Sequence, residues 1–390
     1  MNLPEPAPKD KLLFTPGPLT TSLNVKRAML RDAGSWDAEF GSLVANLRQQ
    51  LLKLAGVSQE AGWEVVLLQG SGTFGMEAVF QTCVPRTGKV AVLANGAYGN
   101  RMVEMLERAA IDYVVLRTAE DTPVPPEALA KLLVLDGAIT HVSVVHCETT
   151  TGLLNPIRAL GNVARSYQKA YIVDAMTSFG AIPLDLEQCA IDFLVSSPNK
   201  CLEGVPGFCI VVCRRESLEG CEGRARTLSL DLLAQLQGFD ANGQFRFTPP
   251  THSLLALNQA LNELEEEGGV SARAARYRRN HQVLLEGMRP LGFWPYLKPE
   301  DQSYIITTFQ YPRWPGFSFE AFYRKLSQKG FLIYPGKLRH VDTFRIGTIG
   351  HLFPGDVEQL LQAIDATLAE MGLASVGGLD AEAAIEPAHG

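Results

Sequence analysis

Lys200 stands in the string Ser196-Ser197-Pro198-Asn199-Lys200, directly after the apolar run IDFLVSS (191–197) and before the turn Glu203-Gly204-Val205-Pro206-Gly207. An amine held in a low-dielectric pocket loses part of its preference for the ammonium form, which suits it to form a Schiff base. Asp174, 26 residues earlier, closes the apolar run Ala170-Tyr171-Ile172-Val173. A carboxylate at the edge of a buried strand sits where open α/β sheets bind ligands, and its charge needs a cationic or N–H partner. The plain alternatives are a structural salt bridge for Asp174 and a solvated surface charge for Lys200. A third segment, Gly70-Ser71-Gly72-Thr73-Phe74-Gly75, lies between the strand-like EVVLLQ (64–69) and a helix-like stretch. It matches the dinucleotide pattern G-x-G-x-x-G, but the next strand-like run ends Leu93-Ala94-Asn95-Gly96, without the carboxylate that holds a ribose. Two readings remain: a cup for one phosphate, made of backbone N–H groups with the Ser71 and Thr73 hydroxyls at a helix N-terminus, or a Gly-rich turn with no ligand.

A phosphate cup, a carboxylate and a lysine at successive strand ends are the three parts that pyridoxal phosphate requires. It needs an anchor for its phosphate, a partner for its ring nitrogen and an amine for its aldehyde. Tyr98, in Asn95-Gly96-Ala97-Tyr98-Gly99, offers a flat face over such a ring, or is an ordinary aromatic at a helix start. No other constellation is as complete. The seven histidines include no H-E-x-x-H, and His146-Cys147-Glu148 lacks zinc spacing and reads as a strand end. Neither a G-x-x-x-x-G-K-[ST] loop nor a G-x-S-x-G elbow occurs.

The elements that must position these residues are legible as short apolar runs rich in Val, Ile and Leu. They are EVVLLQ, KVAVLAN (89–95), DYVVLR (112–117), THVSVVHC (140–147), AYIVDAM (170–176), IDFLVSS and GFCIVVCR (207–214). They are apolar on both faces and alternate with helix-like stretches, which predicts an α/β fold: a mostly parallel sheet of about seven strands flanked by helices. After about 252 the pattern changes to helices over 253–269 and 275–292, strands over 303–311, 331–336 and 343–350, and helices over 317–330 and 356–372, a smaller α+β domain. Asp356 can cap the last helix and Gly372 can close it. The expected division is an arm at 1–17, a large cofactor-binding domain at 18–268, a small domain at 269–375 and a flexible tail at 376–390.

With 390 residues, 46% of them hydrophobic and 20% charged, the chain has ample surface to bury in two domains and is not a disordered polymer. A net charge of −7 with scattered basic residues excludes an electrostatic footprint for nucleic acid or an anionic membrane. Seven cysteines with no C-x-x-C pair read as free thiols in a reducing compartment. The start, MNLPEPAPKDKLLF, lacks the apolar stretch of a signal peptide, so a soluble cytoplasmic protein is expected.

The strings LLFTPGPLTTS (12–22), SWDAEF (35–40), LLQGSGTFGMEAV (67–79), NGAYGNRMVEM (95–105), VHCETTTGLLNPI (145–157), YIVDAMTSFGAIPLDL (171–186), SSPNKCLEGVPGF (196–208), RTLSLDLLAQ (226–235) and FLIYPGK…FRIGTIG (331–350) resemble the 2-aminoethylphosphonate–pyruvate transaminases. These are fold-type I, pyridoxal-phosphate aminotransferases of the branch shared with alanine–glyoxylate aminotransferase. The resemblance implies that Lys200 forms the Schiff base, Asp174 meets the ring nitrogen, Ser71, Gly72 and Thr73 bind the phosphate, and Tyr98 stacks on the ring. It further implies that Thr149 touches the ring oxygen and that Thr251, in Thr248-Pro249-Pro250-Thr251-His252, reaches the phosphate of a neighbouring subunit. Shared sites in a homodimer follow. Arg345 resembles the arginine that grips the substrate carboxylate, its planar fork suiting carboxylate or phosphonate. The implied reaction converts 2-aminoethylphosphonate and pyruvate to phosphonoacetaldehyde and L-alanine. An alanine or serine transaminase using glyoxylate or pyruvate is the nearest alternative, and a nicotinamide-dependent oxidoreductase the alternative from another class.

Overall fold

In the computed structural model, which describes residues 10–338 and 340–373, the seven apolar runs form one seven-stranded sheet. Its order is Trp63–Gly70, Gly207–Arg214, Phe193–Ser196, Ala170–Asp174, Ile139–Val145, Lys89–Ala94 and Asp112–Arg117. All neighbours run parallel except where Gly207–Arg214 pairs with the two strands beside it. The reason is the connection. A parallel neighbour needs a crossover of a dozen or more residues, whereas the chain leaves Ser196, turns tightly through 197–206 and comes straight back. The interior strands are buried on both faces, as their unbroken Val/Ile/Leu runs require, and only the edge strand Asp112–Arg117 is partly exposed.

The connections between parallel strands carry helices, among them Gly72–Cys83, Ala97–Arg108 and Ile157–Ser166. Gly161 lets the last of these approach Cys189, whose carbonyl oxygen occupies the space a side chain at 161 would take. The helices and sheet enclose one large core between Phe40 and Leu264.

A second core gathers Phe14, Phe293, Phe309, Phe322, Phe344 and their neighbours under a three-stranded antiparallel sheet, Ile306–Gln310, Thr343–Gly347 and Tyr334–Pro335. Phe344 meets Phe293 edge-on at 5.3 Å, a favoured aromatic geometry. Helices Gly269–Met288, Phe319–Gln328 and Pro354–Glu370 accompany this sheet.

Several sequence expectations are refined here. The run 331–336 is two strands: Phe331–Leu332 pairs in parallel with Leu12–Leu13, and Tyr334–Pro335 turns to the edge of the other sheet, where a proline's missing N–H does no harm. The helices expected at 253–269 and 275–292 are Thr251–Glu267 and Gly269–Met288, separated only by Gly268 at φ +106°. The cap of the last helix is Phe353, not Asp356; Asp356 sits three residues on and accepts the Phe353 N–H at 2.9 Å. Gly372, at φ +75°, follows the helix end as expected. The tail at 376–390 and the first nine residues of the arm lie outside the described residues.

Candidate active site

The C-terminal ends of the parallel strands converge on a cavity of about 190 Å³ lined by Ser71, Gly72, Thr73, Tyr98, Thr149, Asp174 and Lys200 together with Arg101, Met176 and Asn199. Seven of the nine residues singled out from sequence are thus brought together. Arg345 stands behind this wall, and Thr251 lies outside it.

Each side chain has an identifiable support. Ser71 is the N-cap residue of helix Gly72–Cys83, yet its hydroxyl makes no capping bond, so the first N–H groups of that helix remain free for an anion. A Cβ at Gly72 would meet the thioether end of Met176, just past the end of strand Ala170–Asp174, so glycine lets the cup lie close to that strand end without displacing the methionine. Asp174 receives one hydrogen bond on its carboxylate among the described residues, from Met176 N–H at 3.0 Å. Burial pushes it up to about 7, against that hydrogen bond. A buried carboxylate this poorly paired fits a protonated ring nitrogen.

Lys200 occupies a turn pinned from both sides. Glu203 N–H donates to Lys200 O at 2.9 Å and Gly204 N–H to Pro198 O at 2.8 Å. Glu203, at φ +59°, is buried and accepts from Arg276 Nη2 at 2.7 Å and Tyr277 OH at 2.6 Å, while Arg273 Nη1 donates to Cys201 O at 2.9 Å. The N-terminal arm closes the other side: a Cβ at Gly17 would lie 2.5 Å from Lys200 Cδ. The Lys200 amine itself makes no hydrogen bond among the described residues, and burial lowers its pKa despite Tyr98 and Asp174 nearby. These features fit pyridoxal phosphate: an uncapped helix start for its phosphate, an underpaired carboxylate and an unpartnered amine.

Tyr98 is set by Glu148, which sequence reasoning passed over as part of a strand end. Glu148 is buried and accepts from the N–H groups of Tyr98 and Gly99 at 3.2 Å each and from Thr150 Oγ1 at 2.6 Å, capping helix Ala97–Arg108 from outside it. Burial raises its pKa against those bonds. The helix had no acidic or hydroxyl N-cap of its own, only Gly96, and that gap was the available signal. The Tyr98 hydroxyl accepts from Lys337 Nζ at 3.1 Å. Burial would raise the pKa of this phenol, but Lys337 and then Lys200 bring it down to about 8. Arg345, on Thr343–Gly347, is 2% exposed and donates Nε to Pro335 O at 3.0 Å and Nη1 to Thr149 O at 2.8 Å.

Thr251 starts helix Thr251–Glu267, where it is partly exposed beside His252. The dinucleotide arrangement has no support in the topology. Trp63–Gly70 and Lys89–Ala94, which should be neighbours in a ribose-binding unit, lie at different places in the sheet, and Asn95 is tied to Asn155 and Thr122. No cluster of three or more potential metal ligands occurs among the described residues.

Comparison with known proteins bears on the family and the fold. The model of the family described as "Aminotransferase class-V" matches residues 21–336. A 2-aminoethylphosphonate–pyruvate transaminase of Syntrophobacter fumaroxidans is 48% identical over 362 residues, 93% of this chain and 97% of the relative. One of Klebsiella pneumoniae is 50% identical over 359 residues, 92% and 97% of the two chains. Among solved structures, the pyridoxamine–pyruvate aminotransferase of Mesorhizobium loti superposes with a TM-score of 0.85 at 24% identity, covering 96% of each chain. The alanine–glyoxylate aminotransferase of a Nostoc species does so with 0.85 at 24% identity, covering 94% of this chain and 98% of that one. At such identities the structures speak for the fold, which is that of the fold-type I aminotransferases. With the family model spanning most of the chain and relatives near one-half identity over nearly all of it, the chain belongs to the class-V aminotransferase family.

Proposed function

We propose that this aminotransferase moves the amino group of 2-aminoethylphosphonate to pyruvate, yielding phosphonoacetaldehyde and L-alanine, with pyridoxal phosphate as cofactor. The reaction class rests on one observation: an unpartnered amine, Lys200, facing an underpaired buried carboxylate, Asp174, beside an uncapped helix start. The substrate pair rests on the relatives at 48% and 50% identity.

The cofactor, when bound, supplies an electron sink for the substrate carbon that bears the nitrogen. Ser71, Gly72 and Thr73 would hold its phosphate, Thr149 its ring oxygen and Tyr98 one ring face. Asp174 would accept the proton-bearing ring nitrogen; the burial that lifts its pKa in the free protein is offset once a cation sits against it. Lys200 Nζ would hold the cofactor through its aldehyde and, as a free amine, would serve as the base that carries the proton from the substrate carbon bearing the nitrogen. Its lowered pKa leaves more of the neutral base near neutral pH. Arg345 orients the substrate anion.

The active assembly in this reading is a homodimer whose partner supplies Thr251 to the phosphate cup. Leu30 and Trp36, 84% and 83% exposed, flank Asp32, which pairs with His252 at 3.4 Å next to Thr251. Large apolar side chains exposed around one site are what a subunit interface would cover. The domains divide at Gly268, between the two helices and between the two cores, with the arm through Gly17 laid across both. A cytoplasmic location agrees with the seven buried free cysteines. Among the described residues no helix is long and apolar enough to cross a membrane.

The test is a panel of amino donors with pyruvate as acceptor, read as alanine formed. The reading requires 2-aminoethylphosphonate to exceed serine and other amino acids in kcat/KM; a preference for serine or glyoxylate chemistry would replace it. A visible absorption band that borohydride removes is expected of the purified protein.

A further inference from the structure

Arg345 is not free to serve a substrate with its whole fork. Nε is committed to Pro335 O, one hydrogen of Nη1 to Thr149 O, and the guanidinium also engages the Tyr98 hydroxyl, which leaves about two of its five N–H groups. Those donors match a carboxylate, which is planar, singly charged and has two oxygens. A phosphonate is tetrahedral, has three oxygens and, like a phosphate monoester, approaches two negative charges near neutral pH. It needs more donors and more positive charge than this arginine has left.

Lys337 meets that need. It follows the short strand Tyr334–Pro335, whose Tyr334 pairs with Arg345 in the adjacent strand, so both cations come from one sheet to residues that line the cavity, Lys337 to Tyr98 and Arg345 to Thr149. Its Nζ lies 3.1 Å from the Tyr98 hydroxyl and 4.6 Å from the Tyr98 ring centre. Among the described residues that hydroxyl is its one hydrogen-bond partner and no carboxylate pairs with it, so two of its three N–H groups stay available. Glu148, a buried carboxylate beside Tyr98, is already occupied by backbone N–H groups and Thr150. Lys200, Lys337 and Arg345 thus gather around Tyr98; of these, Lys200 feels Asp174 and Arg345 feels Glu148. An ammonium on a flexible stem is a point charge that suits a tetrahedral anion better than a planar one.

Resting on the reading of 2-aminoethylphosphonate as donor, we propose that Lys337 is the specificity-determining residue of the donor half-reaction. It joins Arg345 on the phosphonate, while Arg345 alone holds the carboxylate of alanine or pyruvate.

The holoenzyme and its Lys337→Met and Lys337→Arg variants test this in two ways. First, single-turnover kcat/KM is measured with 2-aminoethylphosphonate and with L-alanine, two donors that load the same enzyme form. Loss of one charge-assisted contact should lower the value for the phosphonate about 10- to 100-fold in Lys337→Met. The value for alanine should fall by a few-fold at most, and Lys337→Arg should recover most of the loss. Second, calorimetry compares ethylphosphonate with propionate, the same donors without their amines and therefore unreactive. Weakened ethylphosphonate binding with propionate little changed is the expected result. Equal losses for both donors and both ligands would make Lys337 a support for Tyr98 and overturn the proposal, as would no loss for any. Failure of the parent enzyme to use 2-aminoethylphosphonate at all would remove the functional reading, and the ethylphosphonate comparison would still decide what Lys337 binds.

Discussion

Lys200→Ala is expected to separate cofactor binding from turnover. The cup at Ser71–Thr73 does not depend on the lysine, so a phosphate-bearing cofactor should still bind, but the base that moves the proton is gone. A loss of at least about 10³-fold in alanine formation is expected, in the range of a removed general base. Retained activity would show that another group carries the proton. Asp174→Asn removes the charge and keeps the shape, and a drop of about 10²–10³-fold in kcat at saturating cofactor is expected from the lost electrostatic support. The same variant gives a reading without catalysis. In the cofactor-free protein Asp174 is raised from 3.8 to about 7 by burial, so the fold binds its proton more tightly than the unfolded chain does. Its contribution to stability is full below about pH 4 and is lost as pH rises through about 7. Asparagine carries no such burden. The Tm advantage of Asp174→Asn over the parent should therefore grow from pH 4 to pH 7, and adding cofactor should shrink it. A gap that is flat with pH would mean that the carboxylate is better paired than the geometry indicates.

At the scale of elements, the turn 198–204 is held from beneath by Arg273, Arg276 and Tyr277 on helix Gly269–Met288 and from above by the N-terminal arm. Gly17 is the tightest point of that arm. At φ +114° it occupies a conformation that side chains disfavour, and a Cβ there would lie 2.5 Å from Lys200 Cδ and 2.7 Å from Asn199 O. Gly17→Ala should therefore displace Lys200, lowering kcat at least about 10-fold through misplacement of the base. Far-UV circular dichroism should remain that of the parent, since the strand pairing of Leu12–Leu13 lies upstream of the change. Unchanged kcat would mean that the arm covers Lys200 without positioning it. Glu203 was invisible as a partner of this turn in sequence, although it lies three residues from Lys200. Its partners Arg273, Arg276 and Tyr277 are some seventy residues away on another helix.

For the whole molecule, a homodimer is expected in sedimentation at assay concentration. Trp36→Glu places a charge where a side chain 83% exposed in one subunit would be covered by the other. If the proposed dimer holds, it should shift the protein toward monomer and weaken cofactor binding together, because Thr251 of one subunit would then no longer reach the cup of the other. A monomeric variant with full cofactor affinity would confine each site to one chain. What the sequence determined by itself was the local part of this architecture. The seven apolar runs became seven strands because unbroken Val/Ile/Leu segments must be covered on both faces, and the punctuation after each run put Ser71, Tyr98, Asp174 and Lys200 at strand ends. Only the tertiary structure decided strand order, the reversal of Gly207–Arg214, and the contacts that join Glu148 to Tyr98, Gly17 to Lys200 and Lys337 to Tyr98. The physical reason is range. Strand propensity and turn chemistry act over a few neighbouring residues, whereas the Lys337–Tyr98 contact joins positions 239 apart, and it exists only because two separately packed cores bring their edges to one cavity.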